Sequence, residues 1–185
     1  MSKPLVNVLV QFLGSPIELD RQLSAISRQT YDNIHIIIGY NHKELKPLIE
    51  ATLEDSTIPY TIVRVGRKTS VRGKIQYAPA YLELNRLIDF VQEGFIATIP
   101  NICTLDNRYS ISRMMEDLTT QGTAATYHTS SKNSQTLSGV CYHKKDQKAI
   151  HFDGQPKSVF RFCEGLKSNG IEIIARDKRI ISINP

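Results

Sequence analysis

The chain has 185 residues, 41% of them hydrophobic and 22% charged, with a formal net charge of +5. That length fits one ordinary domain whose core needs no disulfide or metal staple, and the composition excludes a disordered or collagen-like chain. The positive excess favours acidic partners such as nucleotides, but a value this small describes a solvated surface better than a nucleic-acid footprint, so nucleic acid is not an expected partner.

Leu5 to Phe12 is an almost continuous apolar run, the pattern of a strand buried on both faces of a parallel sheet. Ser15-Pro16-Ile17-Glu18 is a capping box with proline at the first helical position, and Leu19, Leu23 and Ile26 follow at helical spacing to near Gln29. Ile34 to Ile38 is a second buried strand, which completes a β-α-β unit. Glu44 to Leu53 is expected to be helical and Tyr60 to Val65 a strand. A basic loop is expected next, carrying Arg64, Arg67, Lys68, Arg72 and Lys74. Pro79 opens a predicted helix through Val91, and Phe95 to Ile99 a strand. Then come a helix over Ile111 to Leu118, strands over Thr123 to His128 and Gly139 to Tyr142, and a helix over Val159 to Lys167 stopped by Asn169-Gly170. Short strands over Ile171 to Ala175 and Arg179 to Ile183 close the chain, with no internal repeat. The alternation predicts an α/β fold, residues 1–185 forming a single domain.

Cys103, Cys141 and Cys163 are an odd number at scattered spacing, which gives neither a disulfide framework nor a zinc pattern. The N-terminal Met-Ser-Lys-Pro has no signal-peptide character and no apolar run reaches bilayer length. The expected setting is therefore the cytoplasm or a virus particle.

Several segments in order resemble the family-2-type glycosyltransferases of the GT-A fold. Ala25-Ile26-Ser27-Arg28-Gln29-Thr30-Tyr31-Asp32-Asn33-Ile34 is similar to that family's turn between its first helix and second strand. Gly73-Lys74 and Tyr81-Leu82-Glu83-Leu84-Asn85 resemble the helix before its metal motif, and Glu93-Gly94-Phe95-Ile96 the strand leading into it. Phe152-Asp153-Gly154 and Phe160-Arg161-Phe162 resemble its acceptor-side loop and helix. The resemblance implies a three-layer α/β/α domain with a mostly parallel sheet and a nucleotide-diphosphate-sugar donor.

It also implies acidic residues that this chain lacks. The family places a base-binding carboxylate after strand two, where Asn41 stands here, and a D-x-D-like cluster where Pro100-Asn101-Ile102-Cys103 stand. Its catalytic base aligns with Val159. Asparagine does not replace a carboxylate's charge for a hard cation, proline, isoleucine and valine offer no ligand, and valine accepts no proton. A metal-dependent transferase is thus not expected. A divalent cation such as manganese would be required only if the acidic site lay elsewhere, and no cofactor is expected.

Asp106 and Asp153 are the remaining acidic candidates for a displaced ligand or base, although both sit in turn sequences, Leu105-Asp106-Asn107 as an Asx-type cap and Asp153 before a glycine. The basic segment from Arg64 to Lys74 is the best candidate for holding a diphosphate without metal. His128, Cys141, His143 and His151 match no standard zinc spacing. Two functional expectations follow. One is a glycosyltransferase-like domain kept as a binding or assembly module, with a nucleotide diphosphate, a glycan, a protein or a second copy as partner. The other is a metal-independent transferase using a nucleotide sugar.

Overall fold

Strands β1 (Val6–Phe12) and β2 (Ile34–Tyr40) are seven-residue β-branched runs and pair in parallel, Val6 opposite Ile34 and Phe12 opposite Tyr40. The computed structural model describes residues 2–12, 14–65, 68–71, 74–77, 80–99, 103–121, 124–129, 137–147, 150–152, 158–176 and 181–183. β3 (Tyr60–Arg64), β6 (Phe95–Thr98), β8 (Ala124–Thr129), β9 (Leu137–His143) and β10 (Ile173–Arg176) complete a seven-stranded sheet in the order β10-β8-β9-β6-β1-β2-β3. β9 runs against both its neighbours, β6 and β8, while the other four pairings are parallel.

The period-2 geometry of the strands sorts their side chains onto two cores. On one face Val6, Val8, Val10, Ile34, Ile36 and Ile38 pack under helices α1 (Pro16–Ser27), α2 (Lys46–Leu53) and α4 (Ser110–Gln121) through Leu19, Ile26, Ile49, Leu53, Ile111 and Leu118. On the other, Leu9, Ile37, Ile96, Val140 and Tyr142 pack under α3 (Ala80–Asp89) and α5 (Ser158–Ser168) through Leu84, Leu87, Ile88, Phe162 and Leu166. This is the three-layer α/β/α arrangement with a mostly parallel sheet that the alternation and the resemblance imply. Among the described residues no helix is long and apolar enough to cross a membrane.

Local chemistry explains the boundaries. The Ser15 hydroxyl accepts from the Glu18 amide at 3.3 Å, and Pro16 fills the first helical position, so α1 starts where its capping sequence dictates. Gly94 adopts φ +86° beneath β1, and a Cβ there would meet the Leu5 carbonyl oxygen at 2.5 Å, so the turn into β6 requires glycine.

One expectation needs correction, and one strand pair is unforeseen. The segment expected to be a basic loop contains an antiparallel hairpin, β4 (Lys68–Val71) and β5 (Lys74–Tyr77), with Val71 opposite Lys74. The scattered lysines and arginines hid the β-branched and aromatic residues Thr69, Val71, Ile75 and Tyr77, which suit strands. Cys103–Leu105, to which no element is assigned from the sequence, forms β7 and pairs with β11 (Ile181–Ile183), Cys103 opposite Ile183. Three residues are too few to carry a period, and their partner lies at the far end of the chain.

Candidate functional site

β1 lies between β2 and β6, all three parallel. The chain proceeds outward on one side through β2 and β3, then returns to place β6 on the other side of β1. The connections therefore diverge at the carboxyl ends of β1 and β6, and open α/β sheets bind their ligands in the crevice at such a switch point. Phe12, Tyr40, Arg64 and Thr98 are the last residues of the strands that form this edge.

Polar residues gather there on the α3 side of the sheet. Gln11, on the same face as Leu9, is 6% exposed. Asn41, two residues beyond Gly39 on β2, buries its Oδ1 with no hydrogen-bond partner. Gly39 meets Leu87 of α3 so closely that a Cβ would come within 2.8 Å of Leu87 Cδ2. From that contact, Asn41 lies about 7 Å further along the strand direction and Glu83 about 6 Å back along α3. Asn41 and Glu83 therefore stand at a similar height at the carboxyl edge.

Glu83 is 3% exposed in the first turn of α3. Burial pushes its carboxyl up to about 6, against the opposing pull of the Arg86 charge. Arg86 Nη1 donates to the Val65 carbonyl at 2.5 Å, and the Val65 amide donates to the Tyr40 carbonyl at 2.8 Å. These bonds tie the helix to the ends of β2 and β3. Sequence reasoning missed Glu83 as a site residue. The signal was an acidic residue four before Leu87, on the stripe that faces the sheet.

The other candidates are dispersed. Arg64 ends β3 and is exposed. Lys68 opens β4 and Lys74 opens β5, whereas Arg67, Arg72, Pro100, Asn101, Ile102 and Asp153 lie outside the described residues. Cys103 opens β7, and Val159 lies in the first turn of α5. Asp106 lies at the opposite end of the molecule. It shares a cleft with Ala25 and Arg28 at the C-terminal end of α1, and α1 carries the chain about 18 Å from the carboxyl edge to the amino edge. The Asx turn beside it belongs to Asn107, whose Oδ1 accepts from the Tyr109 amide at 2.9 Å.

Among the histidines and cysteines, Cys141 is fully buried in the α1-side core, which pushes its thiol up to about 12. His143 packs edge-on against Phe95 at 4.7 Å and accepts from the Lys145 amide at 3.1 Å. Among the described residues no three of histidine, cysteine, aspartate and glutamate cluster for a metal ion.

No family model and no curated protein sequence matches the chain. Solved structures do match its fold. The mannosyltransferase PcManGT from Pyrobaculum calidifontis, in complex with GDP-Man and Mn2+, superposes with a TM-score of 0.76 at 12% identity over 97% of this chain. TarS 1-349 from S. aureus, in complex with UDP-GlcNAc, gives 0.76 at 8% identity over 98%. Longer TarS gives 0.73 at 9% identity over 98%. The chain spans 56%, 58% and 37% of those three chains. Its fold is that of the GT-A-type glycosyltransferases.

Proposed function

We propose that this glycosyltransferase-like domain has lost metal-dependent sugar transfer and serves as a nucleotide- or glycan-binding module, or as a building block of a larger assembly. What carries the reading is the identity of the residues that follow β2 and β6 in the sequence. Pro100-Asn101-Ile102 precede Cys103, the first residue of β7, and Asn41 directly follows β2. A hard divalent cation needs anionic oxygen ligands, and this donor set offers amides, a thiol and hydrocarbon. The orphaned Asn41 Oδ1 is a neutral acceptor suited to a base or ribose N–H or O–H donor, not to charge neutralisation. These motif positions therefore supply no anionic ligand for manganese, and the buried Glu83 would offer a single one. Val159, at the position aligned with the family's base, takes no proton.

Nucleotide binding remains within the reach of this edge. Arg64 ends β3, and Arg67, Lys68, Arg72 and Lys74 follow it, supplying cationic groups for phosphate oxygens. GDP-Man and UDP-GlcNAc are bound by the two neighbours of the same fold. The second reading, metal-independent transfer from a nucleotide sugar, draws on this same basic segment, with Asp106 and Asp153 as its named base candidates. The position of Asp106 at the amino edge weighs against its share in that reading. A protein partner or a second copy of the chain fits the assembly role.

Calorimetric titration of uridine, guanosine and thymidine diphosphates and their sugar conjugates, with and without manganese, separates these readings. The module reading expects binding that manganese leaves unchanged, with no nucleotide released from the sugar conjugates. Manganese-dependent binding overturns it. Metal-independent release of nucleoside diphosphate that is lost in Arg67→Ala or Arg72→Ala establishes the transferase instead. No binding under any condition removes the nucleotide role and leaves assembly, which light scattering of the chain tests directly.

A further inference from the structure

The amino edge carries a cleft that the reading above does not use. It encloses about 300 Å³ between the C-terminal end of α1 and the turn after β7, lined by Ala25, Arg28, Leu105, Asp106, Asn107 and Arg108. Ala25 and Leu105 are buried apolar residues, while Arg28, Asp106 and Arg108 are exposed. No ion pair among the described residues neutralises any of the three.

The walls are held before any ligand arrives. Gln29 Nε2 donates to the Asn107 carbonyl at 2.9 Å, and Gln29 Oε1 accepts from the Ile111 amide at 3.0 Å. The Thr30 amide and hydroxyl both donate to the Arg108 carbonyl, at 2.8 and 3.1 Å. The Thr30 hydroxyl also lies 3.1 Å from that of Ser112. Arg28 anchors its Nε on the Ser24 carbonyl at 2.9 Å. The Arg108 guanidinium lies over the Tyr109 ring, 4.8 Å from its centroid, and donates to the Tyr109 hydroxyl. Side chains fixed in this way lose less entropy on binding.

We propose that this cleft binds a phosphorylated sugar. Arg28 and Arg108 of the lining carry charge-assisted donors for phosphate oxygens. Asp106, which also lines the cleft, is an acceptor for sugar hydroxyls. A site for a bare anion gains nothing from that carboxylate, whereas a ligand carrying both a phosphate and hydroxyl donors uses all three groups. The volume lies at the small end of ligand sites and suits one sugar unit, not a nucleotide sugar. The site is independent of the carboxyl edge, so nucleotide binding there neither establishes nor removes it.

The test is a titration of the whole chain, followed through amide resonances, with glucose 6-phosphate, glucose, inorganic phosphate and a short single-stranded DNA. Glucose 6-phosphate is expected to shift the amides of Thr30 and of residues 106–109, and to bind at least about tenfold tighter than glucose or inorganic phosphate. Arg28→Gln and Arg108→Gln should each weaken it by about tenfold, the scale of one charge-assisted hydrogen bond. Asp106→Asn should weaken glucose 6-phosphate but not inorganic phosphate. The three side chains are exposed, and unchanged melting of the variants checks the fold. Equal affinity for glucose 6-phosphate and inorganic phosphate, tighter binding of the DNA, or no shift at these amides overturns the assignment.

Discussion

Gly39 and Glu83 show how far single residues set the terms at the carboxyl edge. Gly39→Ala puts a methyl group 2.8 Å from Leu87 Cδ2. The expected loss is about 1–3 kcal/mol, because the α3 side of the core must shift to admit it, and urea denaturation measures it. Glu83 acts through its proton. Its carboxyl is raised from 4.5 to about 6 in the folded chain, so the folded state holds the proton more tightly than the unfolded one. Its contribution is intact below the unfolded value and is lost as pH rises through about 6. Glu83→Gln is therefore expected to raise the urea midpoint at about pH 7.5, and to change it little where the carboxyl is already protonated. An equal change at both pH values counts against the burial account. His35 tilts the other way. Burial holds its imidazole below the usual value, so its contribution is lost as pH falls from the ordinary 6.5 through the lower folded value. Asn7 Nδ2 donates to the Glu93 and Phe95 carbonyls, which leaves Asn7 Oδ1 as an acceptor for His35 Nδ1–H, and His35 Nε2 accepts from the Thr61 hydroxyl at 3.0 Å. The sequence alone marks His35 as a hydrogen-bonded core residue, because it interrupts a β-branched run. It leaves the partners open, since they lie on two other strands.

At the scale of elements, Gln29 joins α1, the turn after β7 and the start of α4. Its side chain donates at 2.9 Å to both the Ala25 and Asn107 carbonyls and accepts from the Ile111 amide at 3.0 Å. Gln29→Ala removes all three bonds and is expected to cost about 2–3 kcal/mol, with amide exchange at Ile111 rising more than at Val8 in β1. Uniform acceleration at both positions would count against a local clasp. The residues Gln29-Thr30 are visible in the sequence as part of a family-like motif, but their partners 78 and 82 residues away are not. The same limit governs which elements were legible. β1 and β2 stand out because burial on both faces leaves a continuous apolar run. The β4–β5 hairpin is hidden in the sequence by its scattered lysines and arginines, and β7 by its length. The candidate site divides in the same way. Asn41 is named in the sequence because the resemblance places a base-binding residue directly after the second strand. Glu83 was passed over because only the packing of α3 on Gly39, through Leu87, brings that helix against the end of β2.

The seven-stranded sheet carries a core on each face, and neither core is complete without the strands they share. Leu9 and Val8 are adjacent residues of β1, yet one belongs to the α3 side and the other to the α1 side. Thermal unfolding is therefore expected to give one calorimetric transition whose enthalpy agrees with its van't Hoff value. Two separable transitions would mean that the layers on either side of the sheet melt independently. The chain spans little more than half the length of PcManGT and TarS 1-349 while covering nearly its own full length in the match. The sheet and both helical layers are thus contained in these residues.

The reversed strand β9 also orders events during synthesis. It fills the slot between β6 and β8, but its first residue, Leu137, follows the end of β6 by about forty residues. At roughly 5–20 residues per second, β6 waits several seconds on the ribosome with one edge unpaired. Through that interval its backbone is open to strands of neighbouring nascent chains. A pause or truncation between α4 and β9 prolongs the same exposure and raises the risk of aggregation at that stage of translation.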